Sequence, residues 1–249
     1  MTTINVENML EIFTSEISGH SGQIIDTVRQ DGRAFMRSVL PHSKDVRRED
    51  KLHAGMALKA TPDSVTIHPY VFRQVCWNGY IFGQSDQSRV LVNIGGATCV
   101  EINGKIEEVA ADRGIEEVFR EAVSECCSKD AFTECFKHFR HSLSTTITDK
   151  FQEALVYTLN IQKFPRAQAL STRIIKEYLA EDESTLFSMI NAITAVAREE
   201  PDPGVKWKLE CFAGQMAMLA STPVARVKPP AQAGQVDASQ TPLRLIQSA

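Results

Sequence analysis

The spacing of apolar and polar residues changes its period twice along this chain. Residues 5–18 place Met9, Leu10, Ile12, Phe13 and Ile17 near helical spacing behind Asn5, a residue suited to an N-cap, and predict a helix. Ser18-Gly19-His20-Ser21-Gly22 breaks it, and a short helical turn is expected around Gln23–Arg29. From 33 to 110, Gly, Pro and Asn punctuate short segments rich in β-branched and aromatic residues. Strands are expected at Ala34–Leu40, Leu52–Ala60, Ser64–Gln74, Tyr80–Phe82, Arg89–Ile94 and Thr98–Ile102. Within the third, Val65, Ile67 and Pro69 alternate with Thr66, His68 and Tyr70, the signature of a half-buried strand. Val100-Glu101-Ile102-Asn103-Gly104-Lys105-Ile106-Glu107 predicts a hairpin, because Asn-Gly accepts positive φ at both central positions of a type I′ turn.

From 114 onward the period is helical, with helices expected near 115–128, 130–142, 146–161, 167–180, 184–199 and 205–221. Pro165 precedes the fourth, Asp182 or Ser184 can cap the fifth, and Pro201 and Pro203 separate the last two. After Thr222 the chain is rich in Pro, Ala, Gln and Ser until Leu243-Arg244-Leu245-Ile246, which predicts disorder. The reading is an α+β protein, an antiparallel sheet in the N-terminal half packed with a mainly helical C-terminal half. It divides into a helical segment (1–30), a β-rich region (31–112), a helical region (113–221) and a tail (222–249).

Composition narrows the function classes. Hydrophobic residues at 43% and charged residues at 23% are globular values, and a net charge of −4 argues against a coat of basic residues for non-specific DNA binding. No run approaches the ~18 apolar residues of a membrane span. The segment MTTINVENMLEIF lacks the basic-then-apolar order of a secretory signal. Six cysteines then read as reduced thiols, and a cytoplasmic location away from membranes is expected.

Charge is unevenly placed. Residues 29–59 hold eight Lys/Arg against four acids, and residues 101–135 hold ten acids against four bases. A basic half beside an acidic half suits either an anionic ligand or complementary packing and self-association into a homo-oligomer.

Three motifs bear on chemistry. In Phe72-Arg73-Gln74-Val75-Cys76-Trp77-Asn78-Gly79-Tyr80, Asn-Gly marks a turn needing positive φ. Cys76 sits where a strand gives way to that turn. As a nucleophile it would need a base or a positive charge, for which His68, His53 and Arg73 are near in sequence; otherwise it is a packed thiol. Cys135-x-x-His138-x-x-His141 places its third member about 240° round a helix from its first, so the run does not make a metal site by itself, and no metal is expected. Gly95-Gly96 lacks the Lys-Ser/Thr of a phosphate loop, and no cofactor fingerprint occurs, so no cofactor is expected. For nucleic acid, Arg33, Arg37, Arg47, Arg48, Lys51 and Arg73 can pair with phosphates. Trp77 and Tyr80 can stack on bases, with Asn78 between them.

Phe72-Arg73-x-Val75-Cys76-x-Asn78-Gly79, followed by Gly83-Gln84-Ser85, resembles the central motif of a phage/plasmid-like protein family of unknown function, domain of unknown function 932. Gly32–Leu40 is similar to that family's first basic strand, and Leu186–Thr194 to its late helix with an Asn-Ala-x-Thr run. The chain departs from the family in having Leu58-Lys59-Ala60-Thr61 where an Asn-Ser-Glu or Asn-Ser-His run is expected. The resemblance implies carriage on mobile elements and supplies no catalytic residue. Three functions are expected, in this order. The first is a non-enzymatic nucleic-acid-binding protein acting on single-stranded DNA in recombination or annealing. The second is an enzyme using Cys76 with His68 or His53. The third is a protein-interaction or host-interference module.

Overall fold

The computed structural model describes residues 3–219, apart from positions 48, 86, 95, 96, 103, 110–112, 148 and 182. The expected C-terminal tail, the Gly95-Gly96 turn, Asp182 as a cap, and Arg48 and Asn103 lie outside the described residues.

Helix α1 (Val6–Gly19) begins where Asn5 accepts a hydrogen bond from the Asn8 N–H, satisfying a backbone donor that the first turn leaves open. It buries Met9, Leu10, Ile12, Phe13 and Ile17, as the spacing predicts. The next segment departs from expectation. Gln23–Gln30 is a strand, β1, not a helical turn, and Asp31-Gly32 folds it back onto β2 (Arg33–Val39). The φ values of 52° and 71° at Asp31 and Gly32 are those of a type I′ turn, for which Asp-Gly is a strong signal. Exposure along β1 alternates residue by residue, with Ile24, Asp26 and Val28 on the more buried side.

Two long strands organise the sheet. The C-terminal half of β4 (Asp50–Ala60) pairs with β2, and its N-terminal half pairs with β3 (Ser43–Arg47), a strand the sequence does not announce. The N-terminal half of β5 (Ser64–Arg73) pairs with β7 (Arg89–Ile94), and its C-terminal half with β6 (Asn78–Ile81). With β8 (Ala97–Ile102) and β9 (Lys105–Glu108), the result is an antiparallel sheet ordered β1-β2-β4-β5-β7-β8-β9. An extension, β3-β4-β5-β6, rises beyond it. Gly55 marks the junction on β4, where a Cβ would lie 2.0 Å from the Ser38 carbonyl oxygen.

The helical half comprises α2 (Ile115–Cys126), α3 (Lys129–Ser144), α4 (Asp149–Ile161), α5 (Ala167–Leu179), α6 (Leu186–Glu199) and α7 (Pro203–Leu219). Thr185, rather than the neighbouring Ser184, caps α6 by accepting from the Ser188 N–H. One apolar cluster spans strands and helices alike, from Ile4 through Leu58, Ile67, Phe119, Phe139 and Phe187 to Ala217. A second, smaller cluster joins Phe35, Ala57, Tyr70, Phe72 and Ile81 to Trp207 of α7. The architecture is thus α+β, with the sheet in the first half and the helices in the second. No helix among the described residues is long and apolar enough to cross a membrane.

Candidate functional site

The end of the β5–β6 hairpin is where the chain gathers its unusual residues. Gln74–Trp77 form the turn, and the backbone takes the left-handed conformation at Trp77, φ 53°, rather than within Asn78-Gly79. That corrects the expectation of positive φ in the Asn-Gly pair. Both Asn78 and Gly79 are strand residues of β6, paired with Arg73 and Phe72. Gly79 is glycine for another reason: a Cβ there would lie 2.1 Å from the Tyr70 hydroxyl oxygen.

Trp77 projects outward, 67% exposed, beside Val75 at 63%. Its ring meets Phe72 edge-on, with centroids 5.5 Å apart and planes at 80°. His53 contacts the other partner of that surface, reaching Gln74 Oε1 at 3.2 Å. Two cations border the turn. Arg198 of α6 donates to the Cys76 carbonyl, and exposed Lys51 lies opposite Gln74, whose N–H donates to the Lys51 carbonyl. Neither forms an ion pair among the described residues.

Behind the turn is a buried polar seam. Arg73 grips Asp50 through Nε and Nη2, at 2.8 Å and 2.7 Å, and its guanidinium lies 5.1 Å from the Phe187 ring centroid. Burial works against the Arg73 charge, but the Asp50 carboxylate more than compensates and holds its pKa above the ordinary value. Tyr80 is fully buried and donates to Asn191 Oδ1 at 2.5 Å, while Asn78 Nδ2 reaches the Asn191 carbonyl at 3.4 Å. Burial also raises the Tyr80 phenol well above its usual value. The two sequence runs around Asn78 and Asn191 therefore meet across one seam.

Cys76 sits half-buried at the lip. Burial pushes its thiol up; Arg73 and the Asn78 N–H oppose this without reversing it. His68 is not beside it. That imidazole lies mid-strand on β5, against Trp207 at 5.8 Å between centroids and next to Gly83. The structure does not bring Cys76 and His68 together as nucleophile and base, and His53 hydrogen-bonds to Gln74 instead.

The expected row of phosphate-binding cations is not assembled either. Arg37 is 2% exposed, bonded to Glu210 at 2.6 Å and Asp26 at 2.9 Å, so it ties β2 to α7. Arg33 pairs with Asp31, Arg47 with Glu183, and Arg73 with Asp50. Tyr80 and Asn78 are interior, so neither offers a surface to a base. Of the named residues that are described, Lys51 is exposed without an ion-pair partner, and Trp77 is exposed. Sequence reasoning did not single out Arg198, Asp50 or Glu210. Asn191 and Thr194 stand three apart, the spacing of one helix face, and that is the local signal that could have tied α6 to the motif.

Compared with protein-family models, curated proteins and solved structures, the chain finds no match.

Proposed function

We propose that the protein is a non-catalytic docking module that engages another protein through the β5–β6 turn. The observation that carries this reading is Trp77 itself. A large indole, two-thirds exposed, is held out on a left-handed backbone and braced by Phe72. Leaving such a side chain in water forgoes favourable burial, and tryptophan is prominent among residues that dominate protein interfaces. Val75 extends the apolar tip, and Lys51 and Arg198 frame it with positive charge. The matching surface is an apolar pocket with an acidic rim.

A second reading is single-stranded nucleic acid, favoured by those two cations beside an open aromatic face and by the phage/plasmid-like motif. It has lost the extended basic surface that first recommended it, because Arg33, Arg37, Arg47 and Arg73 face carboxylates. Thiol chemistry at Cys76 has the least support, since its environment favours the protonated form.

One experiment separates the first two. A photo-crosslinking phenylalanine analogue is placed at position 75, where Val75 is 63% exposed beside Trp77, and, as a control, at Leu179, an equally exposed apolar residue (68%) on α5. The docking reading expects one discrete protein adduct from position 75, none from 179, and loss of that adduct when Trp77→Ala is added. Absence of a discrete adduct at 75 ends it. A saturable, salt-weakened quench of Trp77 fluorescence by a single-stranded oligonucleotide would transfer the site to the second reading.

A further inference from the structure

A cavity of about 380 Å³ opens between β4, the Gly83-Gln84 loop, the segment that follows α4 and helix α7. Its size falls within the range of small-molecule sites. The lining has a consistent chemistry. Lys59 and Lys208 supply ammonium groups, Gln162 and Gln215 supply amides, and Trp207 and Phe164, both largely buried, supply aromatic wall. No carboxylate lines it among the described residues, in a chain whose net charge is −4. Neither lysine forms an ion pair among the described residues, whereas most arginines of the sheet do.

The imidazole of His68 lies next to this cavity. It stacks at a tilt on Trp207, and its Nε2 edge borders Gly83, one of the lining residues. It is 7% exposed, and its Nδ1 has no hydrogen-bond partner in the protein. Buried polar atoms are rarely left so. Two ammoniums and two amides beside aromatic walls, with this imidazole behind them, form a set that recognises negative charge joined to a flat ring.

We infer that this cavity binds a small organic anion carrying an aromatic ring, such as an aryl or nucleoside phosphate, with Lys59 and Lys208 on the anion and Trp207 against the ring. The site is separate from the turn and does not depend on the docking reading.

The test uses the full chain with Trp77→Phe, which leaves Trp207 as its single tryptophan and removes the indole of the turn. Phenyl phosphate is titrated to about 10 mM, the concentration at which even a weak millimolar site saturates, with inorganic phosphate and phenol as half-ligands. Phenyl phosphate should change Trp207 fluorescence saturably, and each half-ligand should bind more weakly. Lys59→Gln with Lys208→Gln should weaken binding by roughly tenfold or more, as expected for losing charge-assisted hydrogen bonds. Lys208→Gln alone, at an exposed position, keeps the test informative if the double variant folds poorly. No saturable change, an unaltered Kd in the lysine variants, or equal affinity for inorganic phosphate would each overturn the inference. Because Trp77 is absent throughout, failure here leaves the docking reading untouched.

Discussion

Tyr80 and Asn191, 111 residues apart in sequence, share a buried hydrogen bond of 2.5 Å that joins the β5–β6 hairpin to helix α6. Asn191 also receives Asn78 on its backbone carbonyl, so one helical residue anchors both strand residues. The turn bearing Trp77 is thereby fixed to the helical half, and its exposed tip is displayed on a rigid base rather than on a loose hairpin.

Removing either partner of that bond should destabilise the fold unequally. Tyr80→Phe leaves an amide oxygen without its donor and is expected to cost about 1–2 kcal/mol. Asn191→Ala strands a buried hydroxyl and the space around it, and should cost more, about 2–3 kcal/mol. Chemical denaturation of both single variants and the double should show coupling, the double costing clearly less than the sum. Additive losses would mean that the two groups stabilise independently.

The Asp50–Arg73 pair predicts two linked effects. Asp50→Asn leaves a largely buried guanidinium without its counter-charge, and a loss of about 2–3 kcal/mol is expected once partial exposure is allowed for. The same change removes the carboxylate that helps keep the Cys76 thiol protonated and leaves Arg73 free to favour the thiolate. Alkylation of Cys76 at mildly alkaline pH should then accelerate, roughly threefold or more. Mass spectrometry must show this at Cys76 and not at Cys126 or Cys211, whose thiols burial also pushes up. A uniform increase at all three would report general unfolding instead.

Much of this architecture can be read from the chain, and the unread parts have separate physical causes. Strands β2, β4 and β5 are evident because Phe35, Leu58, Ile67 and Val71 are apolar and bounded by turn residues. Strands β1 and β3 are not, since Gln-Ile-Ile-Asp-Thr-Val-Arg and Ser-Lys-Asp-Val-Arg are half-exposed and polar enough to pass for loop or helix. The cations of the sheet misled for a different reason. Whether Arg37 faces solvent depends on Glu210, 173 residues away, and on the path of α7, neither of which leaves a local trace. The Phe72–Tyr80 motif was recognisable, but which of its members would be inside was not. That was decided by α6 covering Asn78 and Tyr80 while leaving Trp77 outside.

His68 should make stability fall on acidification. Burial, reinforced by the Lys59 charge, lowers its pKa from the ordinary 6.5 to about 4. Between those values the unfolded chain binds a proton that the folded chain refuses, so stability declines as pH drops from about 6.5 towards 4 and recovers as pH rises. The contribution is at most about 3 kcal/mol across the window. Denaturant midpoints at pH 7 and pH 5 should differ less in His68→Leu than in the parent chain. An unchanged difference would place the acid sensitivity on other groups.

The sharpest steric test lies where α7 crosses β6. A Cβ on Gly214 would sit 2.0 Å from the Ile81 carbonyl oxygen and 2.7 Å from its carbon, both backbone atoms that no rotamer change can move. Gly79 is similarly crowded, but its obstacle is the ring of Tyr70, a side chain with some freedom. Gly214→Ala must therefore push the helix off the strand and carry the neighbouring Phe212 and Ala213 with it, opening the core they fill. The expected loss is 3 kcal/mol or more, roughly the upper end of overpacking costs. Gly79→Ala should lose less, and Gly79→Ala combined with Tyr70→Ala should lose less than the two changes summed, because the second removes the clash the first creates. No such relief is available to Gly214→Ala, and a thermal unfolding series comparing the variants would show it as the least stable single substitution of the pair.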